Sequence, residues 1–475
     1  ADALVAGYRE LGDRSGVPAP AVAVRSSATA EDLPEASFAG AQETFLNVVG
    51  ERELLAACRR CYASLFTDRA ISYREVKGFD HLDVALSIGV QRMVRSDLGG
   101  SGVMFSIDTE TGFPRVVVIS AAWGLGELVV QGAVDPDRYL VFKPLLDQPG
   151  AAPVIERTLG AKARTMVYGQ GGTERTRIVD TPARRRHAFV LADEEVLRLA
   201  RWAVLVEKHY GRPMDMEWAR DGAGGELYLV QARPETVQAV KSGTAFTEHH
   251  LTEKGELLLS GAAIGDSIAT GTVCVIRDAS QIADFQDGAV LVAEMTDPDW
   301  VSIMTRASGI ITDHGGATSH AAIVSRELGI PAVVGTGNAT ETLVDGQPVT
   351  LSCAEGDIGH VYNGTLTFES SDIDLRRIPA TRTKVMVNVA SPEAAFRWWR
   401  LPAAGVGLAR MEFIVNNLIG IHPMALVHPD RVTDEHARRR IHALTSGFAD
   451  PTEFFVETLA RGLAKLAAPY HPHDV

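Results

Sequence analysis

The run SGIITDHGGATSHAAIVSRELGIPAVVG, residues 308–335, is the feature that most constrains what this chain can become. An apolar strand, GIIT, leads into a loop holding Gly315 and Gly316. A helix then begins near Ser319 and His320, continues through AAIVSRELG and stops at Gly329, with Pro331 beyond it. This order predicts an α/β unit with His320 in the first turn of its helix. Free backbone N–H groups and the positive end of the helix dipole lie there, and both favour a phosphate anion. The upstream glycines let such a group come close to the backbone. A neutral imidazole so placed is a candidate nucleophile towards phosphorus, the alternative being a simple helix cap. His314 shares the loop but lies outside the helix and reads as a minor loop residue.

Around this unit the pattern is that of an α/β multidomain protein. Strands are expected at GTVCVI, AVLVAE, GIIT, PAVVG and PVTLSC, forming a compact module over residues 262–368. Upstream, residues 1–237 carry an apolar strand that delivers Arg25, Ser26 and Ser27 into a polar loop, and further strands at VALSIGVQRMV, SGVMFSIDTETG and RVVVISAAWGLGE. In DEEVLRLARWAVLVEKHYG, Val196, Leu199, Ala200, Ala203 and Val206 fall at helical spacing. The hairpin PMDMEWA/ELYLVQARP follows, and strand alternation puts Gln231 and Arg233 on one face. If Glu217 lies opposite, a carboxylate, an amide oxygen and a guanidinium converge. The hydrophobic pattern lapses over 238–261 and again over 369–382, which read as linkers, before KVMVNVAS and GVGLARMEFIV open a last region, 383–475.

Composition narrows the class. The 475 residues carry a net charge of −14, and their basic residues are scattered apart from Arg184, Arg185 and Arg186, so a nucleic-acid surface is not expected. That trio reads as a solvated face. No apolar run approaches a membrane span, the first residues lack signal-peptide order, and a cytoplasmic location is expected. Four cysteines suit a reducing compartment. Cys58 and Cys61 form a CxxC pair without a second pair or spaced histidines, and are expected as buried helix residues rather than zinc ligands.

GGATSHAAIVSRELGIPAVVG resembles the phosphohistidine signature of enzymes that make or use phosphoenolpyruvate. VRSSATAEDLPEASFAGAQETFLNV and MDMEWARDGAGGELYLVQARPET are similar to the ATP-grasp nucleotide-binding domain of the synthase and dikinase members, and GVGLARMEFI resembles the start of their (β/α)8 barrel. The likeness covers nearly the whole chain and is most specific to the synthase branch. It implies a partial ATP-grasp domain, a swivelling phosphohistidine α/β domain hinged on the two linkers, and the beginning of a phosphoenolpyruvate/pyruvate-binding barrel. It also implies a reaction in which ATP, pyruvate and water give AMP, phosphoenolpyruvate and phosphate. His320 would take the β-phosphoryl group. Glu217 and Gln231 match Mg²⁺-holding positions; Arg25 and Arg233 match phosphate-contacting arginines. Gln91, Met93 and Val94 match the strand along the adenine pocket, and Arg410 matches an arginine that holds the phosphate of phosphoenolpyruvate. Thr318 matches a site modified by a regulatory kinase/phosphorylase. A full-length homo-oligomer is expected.

Two departures accompany the resemblance. The family's leading segment, with a glycine-rich loop and a phosphate-contacting lysine, and most of its barrel have no counterpart here, so a fragment without full activity is expected. The alternatives are a pyruvate phosphate dikinase, a rifampin-phosphotransferase-like enzyme, and a non-enzymatic phosphocarrier. The short interval from Arg233 to His320 speaks against the second.

Overall fold

A computed structural model describes the chain except residues 29–31, 34–35, 38–43, 79, 82–83, 172–173, 236–244, 298–299, 318, 380 and 449. Its largest sheet has six antiparallel strands in the spatial order Leu227–Pro234, Met214–Arg220, Gly100–Phe105, Val116–Trp123, Asp137–Phe142 and Val154–Thr158. Helix Asp193–Tyr210 covers one face, burying Val196, Leu199, Ala200 and Ala203 against Ile119, Tyr139, Val141, Met216 and Trp218. The sequence spacing predicts this face, and Gly211 ends the helix in the left-handed conformation (φ 68°). The opposite face is also covered: Phe113, Val118, Leu140 and Ile155 pack against Phe396 and Ala468 of the last region. Both faces being dry explains why VVVISAAW reads as one apolar run rather than as an alternation.

A smaller sheet, ordered Phe45–Val48, Val22–Ala28 and Leu86–Arg92, carries helices Asp2–Ser15 and Glu51–Ala63. Its core includes Tyr8, Val24, Leu54, Cys58 and Cys61. The two cysteines are free and buried on one helix face, as the spacing predicts.

Residues 257–363 form a closed seven-stranded barrel ordered Leu257–Ile264, Ala332–Val334, Gly309–Thr312, Val290–Ala293, Ile268–Val275, Pro348–Ser352 and Ile358–Asn363. Alternate side chains divide the strands. Val290, Val292, Ile311, Val333 and Leu351 fill the interior, while Leu291, Ala293, Ile310 and Val334 pack outward against helices Val301–Met304 and His320–Leu328.

The stretches read as linkers contain regular structure. Ala245–Leu251 pairs antiparallel with Phe368–Asp374 over seven residues, from Ala245 opposite Asp374 to Leu251 opposite Phe368. The first barrel strand begins at Leu257, inside the stretch read as the first linker. The hydrophobic pattern misses the ribbon because its described side chains are largely exposed, so neither strand needs an apolar face.

In the last region Val387–Val389 and Val406–Ala409 pair in parallel across helix Pro392–Arg397. Ser391 caps that helix, its Oγ accepting from Ala394 N at 3.1 Å, and Pro392 occupies the first turn, where no N–H is needed. Among the described residues no helix is long and apolar enough to cross a membrane.

Candidate functional site

Two polar centres stand out, on different modules. The first is His320. Gly315 holds φ 114°, and a Cβ there would lie 2.9 Å from the Ser319 side chain, so the loop requires glycine where it folds back on the helix start. Ser319 is the N-cap, with Oγ 3.4 Å from Ala322 N. The loop is tied to the following segment: Asp313 Oδ1 accepts from Thr340 N (3.0 Å), and Thr336 Oγ1 donates to Thr312 O (3.0 Å). His320 Nδ1 lies 3.0 Å from Thr296 Oγ1, and Nε2 is buried without a hydrogen-bond partner among the described residues. Burial lowers the imidazole pKa to about 4, so the ring is neutral at pH 7. A neutral ring with one nitrogen engaged and the other free can act as a nucleophile through Nε2. His314 is exposed, 3.7 Å from the Glu294 carboxylate, and takes no part in this pocket.

The second centre lies where the two sheets of the first 237 residues meet. Cross-strand register puts Glu217 opposite Gln231 and Asp215 opposite Arg233. Arg25, from the smaller sheet, donates through Nη2 to Glu217 Oε2 at 2.8 Å and also to Gln231 Oε1. Arg25 thus brings a guanidinium to the carboxylate–amide pair. Arg233 instead donates from Nε to Asp215 Oδ2 at 2.8 Å, as their directly opposed positions dictate. Burial pushes the Asp215 carboxyl up, and Arg233 opposes that shift. Gln91 Nε2 donates to Val230 O at 3.2 Å, which ties the smaller sheet to the residue before Gln231.

The other residues selected from sequence fall as follows. Met93 and Val94 lie just beyond strand Leu86–Arg92, and Met93 packs on the cluster of Leu125, Leu128, Val129 and Met166. Arg410 is exposed in the last region, where it precedes the short helix Met411–Phe413. Thr318 lies outside the described residues. Arg184, Arg185 and Arg186 are exposed. Sequence reasoning missed Thr296, which arrives from a loop 24 positions before His320 and carries no local signal. It also missed Gly132, where a Cβ would stand 2.2 Å from Ser319 Cα. Among the described residues no cluster of three or more His, Cys, Asp or Glu side chains suits a metal ion.

Residues 1–254 match the family described as pyruvate phosphate dikinase, AMP/ATP-binding domain, and residues 285–356 match the PEP-utilising enzyme, mobile domain. The chain is 52% identical over 482 residues to a phosphoenolpyruvate synthase of Synechocystis, covering 100% of this chain and 59% of that protein. It is 53% identical over 475 residues to the Deinococcus radiodurans phosphoenolpyruvate synthase (100% and 60%), and 53% identical over 455 residues to that of Escherichia coli (95% and 57%). The chain thus spans about 60% of the length of the relatives it matches.

Proposed function

We propose that this chain, which belongs to the PEP-utilising enzymes that carry the pyruvate phosphate dikinase AMP/ATP-binding domain, serves phosphoenolpyruvate synthesis from pyruvate, with His320 as the phosphoryl carrier. The observation that carries the proposal is the His320 pocket: a neutral imidazole at a helix N-terminus behind a glycine loop, with Nδ1 engaged by Thr296 and Nε2 free.

In this reading Nδ1–H donates to Thr296 Oγ1, which leaves the lone pair on Nε2. Nε2 attacks the β-phosphorus of ATP. The N–P bond forms, the bond from that phosphorus to the α-phosphate oxygen breaks, and AMP leaves. Water then cleaves the terminal phosphoryl group as inorganic phosphate. The phosphohistidine later passes its phosphoryl group to the enolate oxygen of pyruvate, which has lost a C3 proton, and Nε2 regains its lone pair. The free N–H groups at the helix start oppose the negative charge that builds on the transferring group.

The first 237 residues form the nucleotide module, an ATP-grasp domain in this reading, with Met93 and Val94 towards the base and Arg25 and Arg233 towards the phosphates. Glu217 Oε2 and Gln231 Oε1 both reach one cationic nitrogen of Arg25, so their oxygens suit a single hard cation. These two side chains would hold Mg²⁺, which supplies charge neutralisation of the ATP phosphates when bound. The barrel swivels on the paired ribbon, residues 383–475 begin a (β/α)8 barrel in which Arg410 meets the phosphate of phosphoenolpyruvate, and Thr318 is the target of a regulatory kinase/phosphorylase.

The test is incubation of the native protein with [β-³²P]ATP and Mg²⁺. Acid-labile, base-stable label on His320, released as phosphoenolpyruvate on addition of pyruvate and absent from His320→Ala, is the expected result. Label that persists in His320→Ala, or none in the unaltered protein, overturns the reading.

A further inference from the structure

The His320 helix does not face solvent alone. Its N-cap residue, Ser319, lies against Gly132, in the turn after helix Glu127–Val130 of the nucleotide module. A Cβ at Gly132 would come within 2.2 Å of Ser319 Cα and 2.5 Å of its Cβ, so any larger residue meets backbone that cannot rotate away. At the other end of the same helix, Arg326 donates to the Glu110 carboxylate, in the turn that joins strands Gly100–Phe105 and Val116–Trp123. The Arg326 side chain is only 8% exposed, and its Nε is buried without a partner among the described residues. Asp108, in the same turn, adds a second negative charge nearby. The helix is therefore gripped at both ends by the nucleotide module, by shape at Ser319 and by charge at Arg326.

We propose that Gly132 and the Glu110–Arg326 pair are positioning elements that dock the His320 module for phosphorylation by nucleotide. The inference rests on the phosphohistidine reading above. Arg326 is buried in the docked pose, so replacing Glu110 by arginine sets two cations against each other there, with Asp108 still nearby. Undocking returns the guanidinium to water and relieves that cost, so such a change shifts the docking equilibrium rather than unfolding either module. The unpartnered Nε works in the same direction: the grip is incomplete, and a carrier that must leave after each transfer needs an incomplete grip.

The experiment measures single-turnover labelling of His320 in the native protein, first from [β-³²P]ATP and then in reverse from [³²P]phosphoenolpyruvate, beside equilibrium ATP binding. Glu110→Arg is expected to slow nucleotide-driven labelling about a hundredfold, a size typical of breaking a buried ion pair. ATP affinity should stay unchanged, and phosphoenolpyruvate-driven labelling should be unchanged or faster. Adding Arg326→Glu to Glu110→Arg should restore most of the rate, and Gly132→Val should reproduce the selective loss. Normal nucleotide-driven labelling in Glu110→Arg, equal loss of both half-reactions, or no recovery in the double variant overturns the inference while leaving the phosphohistidine reading standing. No labelling of the unaltered protein from ATP overturns both.

Discussion

The two polar centres are prepared in opposite ways. At His320 the protein withdraws water and supplies one neutral hydrogen bond, so the imidazole loses its charge and keeps a free nitrogen. Around Glu217 it gathers ions: Arg25 meets Glu217 and Gln231, and Arg233 meets Asp215 two residues away. Desolvation suits a nucleophile, which must be uncharged to attack an anion. Ion pairing suits a site that receives a polyanion with its cation, because the opposed charges keep carboxylates and guanidinium ions aligned until the ligand exchanges with them. The difference teaches that, under the proposed function, the His320 module would draw its reactivity from burial and residues 1–237 theirs from charge placement.

The contrast can be broken most sharply from the ionic side. Glu217→Gln keeps the shape and removes the charge, and it should lower nucleotide-driven labelling of His320 by about a hundredfold or more, as deletion of a key electrostatic group does. Phosphoenolpyruvate-driven labelling should be spared. A rate within twofold of the unaltered protein would remove Glu217 from the charge-based centre.

A smaller effect is expected from the other side. Thr296→Val removes the partner of Nδ1 and should slow labelling about tenfold, the kinetic equivalent of one neutral hydrogen bond. Both half-reactions should slow together, because the imidazole is the group disturbed, and that pattern separates Thr296 from Glu217. Loss of the nucleotide-driven step alone would place Thr296 elsewhere in the scheme.

The mildest test is pH. With a pKa of about 4 in the folded protein, His320 should remain nucleophilic from pH 8 down to pH 5, and the labelling step should show no inflection near the ordinary histidine value of 6.5. Stability follows the same shift. Between about pH 6.5 and 4 the unfolded chain binds a proton at this residue that the folded chain does not. Its contribution is therefore complete above 6.5 and declines as pH falls towards 4, and His320→Asn should flatten that part of the Tm profile. An inflection at 6.5 in labelling would show an exposed imidazole and end the contrast.

Much of the local architecture was legible beforehand. Strands GIIT and PAVVG, the helix between them and the hairpin around Glu217 follow from periodicity, glycine placement and turn residues, and Glu217 does stand opposite Gln231. The paired ribbon was not legible, because strands without an apolar face leave no alternation to read. Alternation brings Arg233 to the face of Gln231, where it stands opposite Asp215, whereas the reach of Arg25 from another sheet to Glu217 and Gln231 leaves no signal in the strand pattern.

The sequence alone determined that His320 opens a helix behind a glycine loop, since helix starts and glycine turns are set by neighbours a few residues away. Only the tertiary structure decided that its ring is buried, that Thr296 holds one nitrogen, and that Gly132 and Glu110 meet the two ends of its helix. Burial and long-range pairing depend on which surfaces come together. No local pattern specifies a contact between residues 24, 187 or 216 positions apart, so closing the barrel and packing it on the nucleotide module had to supply them.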